Sequence, residues 1–276
     1  MVTDPGTTQL IPLPKVPLLM GDQSAVSAGL RRFGIAEGDL GVDFSSPNRA
    51  VLVTRVLELC TVDPLESLPD RIYDELSIGN RINCLLLLAT GGPDRALNLV
   101  YKCAGCGEEL EIEITLGELS ALQREADLVE TVGVEINGRR TEFRKPIGRD
   151  QQDWSRMVFH DERDAAAGII GTLAVTPDFM ESNVLESLDA IEEALDEADP
   201  LVNFSFSVRC EECGELNEYP VDLLETALGM LNRAQNQLII AIHRLALHYH
   251  WTEKEIFAVP EWRRREYLKL IEAIRK

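Results

Sequence analysis

Four of the six cysteines fall into two pairs of one form, Cys103-Ala-Gly-Cys106-Gly107 and Cys210-Glu-Glu-Cys213-Gly214. Two cysteines three apart on a tight turn can aim both sulfurs at one point, and a following glycine permits the positive φ such a turn needs. Two turns of this kind brought together offer four thiolates in a tetrahedron, with Zn–S distances of about 2.3 Å. The pairs belong to a longer repeat. Aligning Cys103 on Cys210 matches Lys102 with Arg209 and Glu108 with Glu215, and sets Leu97 and Leu99 on Phe204 and Phe206. Beyond the cysteines, Ile112, Ile114 and Leu116 match Tyr219, Val221 and Leu223. Each copy reads strand, CxxCG, strand.

One CxxC is weak evidence. Two with matched flanks are strong, even across 103 intervening residues, because a ribbon can carry an insertion between its knuckles. The expectation is a structural Zn2+ held by Cys103, Cys106, Cys210 and Cys213. An iron–sulfur centre, a redox-active dithiol and no metal at all are the alternatives. Cys-Glu-Glu-Cys argues against the dithiol, because carboxylates beside sulfur raise the thiol pKa and slow attack. A closed four-thiolate site leaves no coordination position for water, so this metal would not be catalytic. Its task would be to pin two hairpins distant in sequence, a gain of roughly 10–16 kcal/mol in small zinc fingers. Cys60 and Cys84 sit in apolar helical surroundings and read as buried thiols.

Other chemistry is thinly represented. The histidines are His160, His243, His248 and His250; no HExxH occurs, and His248 and His250 suit a helix end, where charge complements the dipole. There is no nucleophile elbow, Walker loop or dinucleotide fingerprint. Carboxylates are too numerous, 47 Asp+Glu, for any pair to stand out, and an enzyme is not expected. Basic clusters occur at Arg139, Arg140, Arg144, Lys145 and Arg149, and again at Arg263-Arg-Arg265 with Lys269, Arg275 and Lys276. Against 27 Lys+Arg the acids leave a formal charge of -20, a poor balance for wrapping nucleic acid or docking on anionic lipid. Pairing of the basic clusters with an acidic helix is the preferred expectation. A zinc-ribbon nucleic-acid-binding or transcription adaptor remains the alternative function.

A hydrophobic content of 45% suffices for a core, with Leu, Ile, Val and Ala doing most of the packing because only 6% is aromatic. The start, Met1-Val-Thr-Asp-Pro-Gly, lacks the pattern of a signal peptide, and no apolar run approaches the roughly 20 residues of a membrane span. A reducing cytoplasm is therefore expected, where paired cysteines are read first as metal ligands.

The elements that must position the cysteines follow from periodicity. Residues 1–47, with Pro5, Pro12, Pro14, Pro17, Gly6 and Gly21, read as a Pro-rich extended arm. Residues 48–94 read as a helical lobe: one helix enters from an Asn48 cap through Val51, Val53, Val56, Leu57 and Cys60, and another runs through Ile72, Leu76 and Ile82 to leucines 85–88. Gly91-Gly-Pro93 closes it. Residues 95–148 hold the first knuckle strands and a second strand pair around Asn137-Gly138, the strongest two-residue hairpin turn.

Residues 149–200 read as a helical insertion broken at Thr176-Pro177. Its segment 178–199 carries nine acidic residues and no Lys or Arg, with Leu185, Leu188, Ile191 and Leu195 at helical spacing, which predicts an amphipathic helix with a solvated acidic face. Residues 201–276 hold the second knuckle and a helix over roughly 222–250. Its apolar seam is Leu224, Leu228, Leu231, Leu238, Ile242, Leu245 and Tyr249, with Gln235 in the one polar slot. Thr252-Glu-Lys-Glu255 is a capping box with Trp251 and Ile256 at the staple positions, and Pro260 opens a last, basic helix. The fold class expected is α+β: a helical scaffold around a small zinc-ribbon-like β module built from both CxxC hairpins, plus an extra β-hairpin, with 48–276 folding as one unit.

The order of these parts resembles a known family. Lys102-Cys103-x-x-Cys106-Gly107-Glu108, the Asn137-Gly138 hairpin, the acidic middle and Arg209-Cys210-x-x-Cys213-Gly214 come first. The long helix then ends His243-Arg-Leu-Ala-Leu-His-Tyr-His-Trp-Thr-Glu-Lys-Glu-Ile256, followed by Trp262-Arg-Arg-Arg-Glu-Tyr-Leu268. Over roughly residues 48–276 the chain is similar to the baseplate (hub) proteins of contractile-tailed phages and phage-tail-like contractile injection systems. The resemblance implies a structural or assembly role without catalysis, residence in the cytoplasm or in the particle, and other baseplate, hub, spike or tube proteins as partners. Cysteines 103, 106, 210 and 213 match the family's knuckles and would be its zinc ligands; residues 1–45 lie outside the match.

Overall fold

The helix Ile78–Thr90 is buried from Ile78 through Leu88. An apolar run longer than one turn has no solvent face to offer, so this helix becomes the axle against which the others pack. The computed structural model, which describes residues 10–14, 28–66, 68–175 and 187–274, places three helices around it: Arg49–Cys60, Leu116–Ala126 and the long helix Leu223–Tyr249. Their buried faces form the main core, with Val56, Leu57, Leu85, Leu116 and Leu223 wholly enclosed. The fold is α+β, with helices around small antiparallel sheets. Among the described residues no helix is long and apolar enough to cross a membrane.

Three two-stranded hairpins are set on this scaffold. Ala96–Lys102 pairs with Glu109–Thr115, Thr131–Ile136 with Arg139–Arg144, and Ser205–Arg209 with Leu216–Pro220. The middle hairpin turns at Asn137 and Gly138, whose φ of 52° and 75° are the two positive values a type I′ turn requires. Together with the helices Glu162–Leu173 and Leu188–Ala198 it encloses a satellite core of Val134, Ile136, Phe143, Ile170, Leu173 and Ile191. The acidic helix thus buries its apolar stripe as the spacing predicts; residues 176–186, including the Thr176-Pro177 break and Leu185, lie outside the described residues. A third small core of Leu245, Ile256 and Ile271 joins the end of the long helix to the helices Glu253–Ala258 and Glu261–Ile274.

Helix termini follow the side chains available to cap them. Asn48 accepts from the N–H of Val51, Asp222 from that of Glu225, and Thr252 and Glu255 close the capping box. The helical reading through Ile72, Leu76 and Ile82 needs correction: the chain is extended at Leu76 and Ser77, and Ser77 caps a new helix at Ile78. Within 149–200 there is likewise a break at residues 155–161, ended by the Asp161 cap on Asp164.

Residues 28–47 also differ from the extended arm read in the sequence. Gly29–Leu30 is the middle strand of a three-stranded sheet between Ile11–Pro12 and Thr61–Val62, and Leu30, Phe33 and Val42 belong to the main core. The cause is Asp39, which is fully buried. Its carboxylate accepts the N–H groups of Gly34, Ile35 and Ala36 at 2.8–3.0 Å and a bidentate pair from Arg31 at 2.6 and 3.0 Å. The long helix then holds this turn. The Gln235 amide, in the polar slot of the seam, donates to the carbonyls of Asp39 and Val42 at 2.7 and 2.8 Å. Replacing Asp39 by Ala leaves Arg31 and three backbone N–H groups without their acceptor. It is expected to lower stability by about 3–5 kcal/mol in urea denaturation followed by circular dichroism.

Candidate metal centre

The two knuckles are built alike down to individual hydrogen bonds. In the first, the N–H of Cys103 donates to the Glu108 carbonyl at 2.8 Å and that of Gly107 to the Cys103 carbonyl at 2.9 Å. In the second, Cys210 to Glu215 and Gly214 to Cys210 repeat the same distances. Gly107 and Gly214 take φ of 77° and 76°, so both turns depend on a residue without a Cβ. The flanking strands share one register: Leu99 faces Ile112, and their counterparts Phe206 and Tyr219 face each other. The equivalence continues past the strands. Thr115 with Glu118 caps the helix after the first hairpin, and Asp222 with Glu225, at the matching positions, starts the long helix after the second.

The hairpins meet so that the first cysteine of each approaches the second of the other. Cys103 Sγ lies 3.6 Å from Cys213 Sγ, and Cys106 Sγ lies 3.7 Å from Cys210 Sγ. All four sulfurs are within 4.8 Å of one another, the one such group of potential metal ligands among the described residues. A tetrahedron with metal–sulfur bonds of about 2.3 Å has edges of about 3.8 Å, so the donor set fits a four-thiolate ion. A disulfide would require about 2.05 Å, and all six cysteines are free. Cys103 and Cys210 are buried while Cys106 and Cys213 are exposed, so the centre has a protein side and a solvent side. Cys60 and Cys84 are also buried, and burial pushes both thiols up to about 12, as suits inert packing residues.

Electrostatics explain why these sulfurs call for a cation. Backbone N–H groups of Cys106 and Gly105, with the Asn217 amide and Cys213, outweigh desolvation and draw the Cys103 thiol down to about 6. The N–H of Glu108 acts in the same direction on Cys106, yet the neighbouring thiols Cys213, Cys210 and Cys103 outweigh it and push Cys106 up to about 12. Cys213 is raised as well: the Glu215 N–H pulls it down, but Cys103 and Cys210 win. Four adjacent sulfurs cannot all ionise unless positive charge sits between them.

Two contacts that the sequence pattern did not single out lock the knuckles together. Asn217 is buried, accepts from the N–H of Ala104 at 2.8 Å through Oδ1, and donates Nδ2 to the Glu215 carbonyl at 3.1 Å and to Cys103 Sγ at 3.6 Å. The aligned position in the first copy is Leu110, and this polar-for-apolar exchange was the signal that could have revealed it. Tyr219 donates its hydroxyl to the Lys102 carbonyl at 2.9 Å and stacks on Tyr101 at 4.5 Å, with Phe206 edge-on to Tyr101 at 5.7 Å. An aromatic cluster thus fills the angle between the hairpins.

The other candidate residues lie elsewhere. His250 ends the long helix in the left-handed conformation, and neither it nor His243, His248 or His160 joins a group of potential metal ligands among the described residues. The cluster around the Asn-Gly hairpin is engaged in ion pairs: Arg140 with Glu142, Arg144 with Asp150, Lys145 with Asp127, and Arg149 with Glu75. These four partners lie outside segment 178–199, of which residues 187–199 are described, while Lys145 also reaches its end, donating to the Ala198 carbonyl at 3.1 Å and acting on the Asp199 carboxylate. Comparison with protein-family models, curated proteins and solved structures finds no match to the chain.

The site generates two expectations. Asn217→Ala, which keeps every sulfur, is expected to weaken metal affinity by about 10–100-fold in chelator competition, as loss of a ligand-orienting hydrogen bond does elsewhere. Cys106 and Cys213 hold their protons until a metal arrives, so uptake at neutral pH will release protons and weaken as pH falls, measurable by calorimetry in buffers of different ionisation enthalpy.

Proposed function

We propose that this chain is a structural or assembly component of the baseplate or tail of a contractile particle, a phage tail or a phage-tail-like injection system. It acts by protein–protein contact around a structural Zn2+ bound by Cys103, Cys106, Cys210 and Cys213. The observation that carries the reading is the closed set of four sulfurs, all within 4.8 Å, drawn from two hairpins more than a hundred residues apart. Tetrathiolate sites of that kind favour zinc, and with no fourth position left for water or substrate the ion serves rigidity.

The particle itself is suggested by the sequence resemblance, whose most telling part is the ending His243 to Leu268. That ending forms the third small core, where Tyr249 stacks on Trp251 at 4.8 Å and Tyr267 lies tilted to the first and edge-on to the second at 5.3 and 5.2 Å. Around it large apolar side chains stand in solvent: Ile239, Ile240 and Leu247 on the long helix, Trp262 and Leu270 on the last. A protein whose work is adhesion needs such surface, held in fixed relation to the body of the molecule. The zinc module supplies the fixing, because only Val221 and Asp222 separate the second knuckle's last strand from the long helix.

The double variant Cys103→Ser with Cys210→Ser tests the reading. Cells carrying it are expected to lose assembled particles in electron micrographs, with the purified variant free of zinc by elemental analysis. Normal particles built from stable, metal-free protein would contradict the proposal. Steeply salt-dependent binding to DNA or RNA would instead support an adaptor of nucleic acid.

A further inference from the structure

Where the long helix and the last helix diverge they leave a groove of about 370 Å³, and it belongs neither to the metal centre nor to the main core. Its walls are apolar: Leu238, Ala241, Ile242 and Leu245 from the long helix, Ile256 from the short helix between, and Leu268 from the last. Three charged side chains, Glu261, Arg264 and Arg265, also line it, and of these Arg264 is the buried one. Arg264 is 8% exposed, donates Nη2 to the Ile35 carbonyl at 2.7 Å, and lies 5.1 Å over the Phe257 ring. Its Nε–H is buried and meets no acceptor. At the rim Arg265 is exposed and pairs with Glu261 at 3.3 Å, beside the exposed Arg263.

An apolar trough that contains a buried guanidinium with a spare donor selects for two groups at once. The walls favour an aliphatic or aromatic side chain, and the arginines favour a carboxylate next to it. We infer that this groove docks an acidic segment of a partner protein, an apolar anchor side chain entering between the two helices and a neighbouring carboxylate facing Arg264 and Arg265. The inference rests on the assembly reading for the existence of a partner, and adds which surface it uses and what chemistry it presents. Charge complementarity carries the choice of occupant, since along the groove Arg263, Arg264 and Arg265 outnumber the one carboxylate, Glu261, on a chain of net charge -20. A second copy is a poorer fit. The chain's own acidic amphipathic helix, Leu188–Ala198, keeps Ile191 fully buried and Leu188 and Leu195 packed in the satellite core, so it has no anchor to offer.

The experiment uses the full-length protein and fluorescence polarisation of short labelled peptides. The probe alternates leucine with glutamate; one control replaces every glutamate with lysine, the other every leucine with serine. Only the leucine–glutamate peptide is expected to bind. Two variants should each weaken that binding by about tenfold or more: Ala241→Trp, which fills the trough, and Arg265→Glu, which reverses the rim. Arg265 is a solvent-facing residue, so its variant keeps the fold if Ala241→Trp does not. Absence of binding, equal binding of the lysine peptide, or full affinity in the folded variants would overturn the inference. So would sedimentation of the unliganded protein as a dimer that Ala241→Trp dissolves, which would give the groove to a second copy. Because the peptides are read on isolated protein, a negative result leaves the assembly reading standing, and normal particles without zinc would leave the peptide result untouched.

Discussion

Convergence of four sulfurs from two remote hairpins is the constraint on which the rest of the structure depends. A two-stranded antiparallel ribbon is at best marginally stable by itself. Here two such ribbons lie on the main core through Leu97, Leu99, Phe204 and Phe206, and meet each other through the Tyr101, Phe206 and Tyr219 rings, the Asn217 side chain and the Tyr219 hydroxyl. A shared ion, as proposed, would add a cross-link to that contact. In the polymer picture, closing a loop of about a hundred residues removes roughly 4–5 kcal/mol of unfolded-state entropy, before any coordination energy is counted. The segment between the knuckles, with its own satellite core, would thereby be held at both ends by one atom.

Away from the cysteines, buried polar groups do the work of joining segments distant in sequence. Asp199 is nearly inaccessible; it accepts from the Gly79 N–H at 2.9 Å and the Gln123 amide at 2.7 Å, so the end of the acidic helix is tied to the start of the central one. Burial pushes its carboxyl up, while those two donors and Lys145 oppose the shift. Only glycine can stand at position 79, because a Cβ there would run into the Asp199 carboxylate and the Gln123 amide. Arg81, inside the central helix, spans to the Ala50 carbonyl and Thr54 at 2.7 and 2.9 Å, and burial draws its guanidinium down to about 10. Such groups contribute little net energy for their desolvation, and they exclude alternative packings of the same apolar faces.

What the sequence made legible is what short-range chemistry determines. The paired cysteines with their glycines, the Asn137-Gly138 turn, the Asn48 and Asp222 caps and the Thr252 box all act over a few residues, and each appears where the spacing puts it. The seam of the long helix was readable as well, down to Gln235 as its one polar position. The partners of that glutamine were not, because Asp39 and Val42 lie 196 and 193 residues away. Distance also hides part of what shapes the turn at 28–47: density of proline and glycine suggested an arm, while Arg264 and the long helix hold from afar a turn that Asp39 organises locally. Asn217 and the pair of Arg149 with Glu75 were missed for that reason too, their partners lying 113 and 74 residues away. A polar residue names its chemistry in the sequence and conceals its partner.

The interlaced order of the ligands has a consequence for how the chain is made. Translation delivers Cys103 and Cys106 first, and the 107 positions from Cys106 to Cys213 take the ribosome roughly 5–20 s. During that interval the first knuckle offers two sulfurs alone, half of the four-thiolate donor set. The long helix, the central helix's largest neighbour, is also still unsynthesised. Completion of the four-sulfur set and closure of the core therefore fall late in synthesis and close together in time. A nascent chain stalled before residue 213 would be both metal-poor and greasy, a natural client for a chaperone.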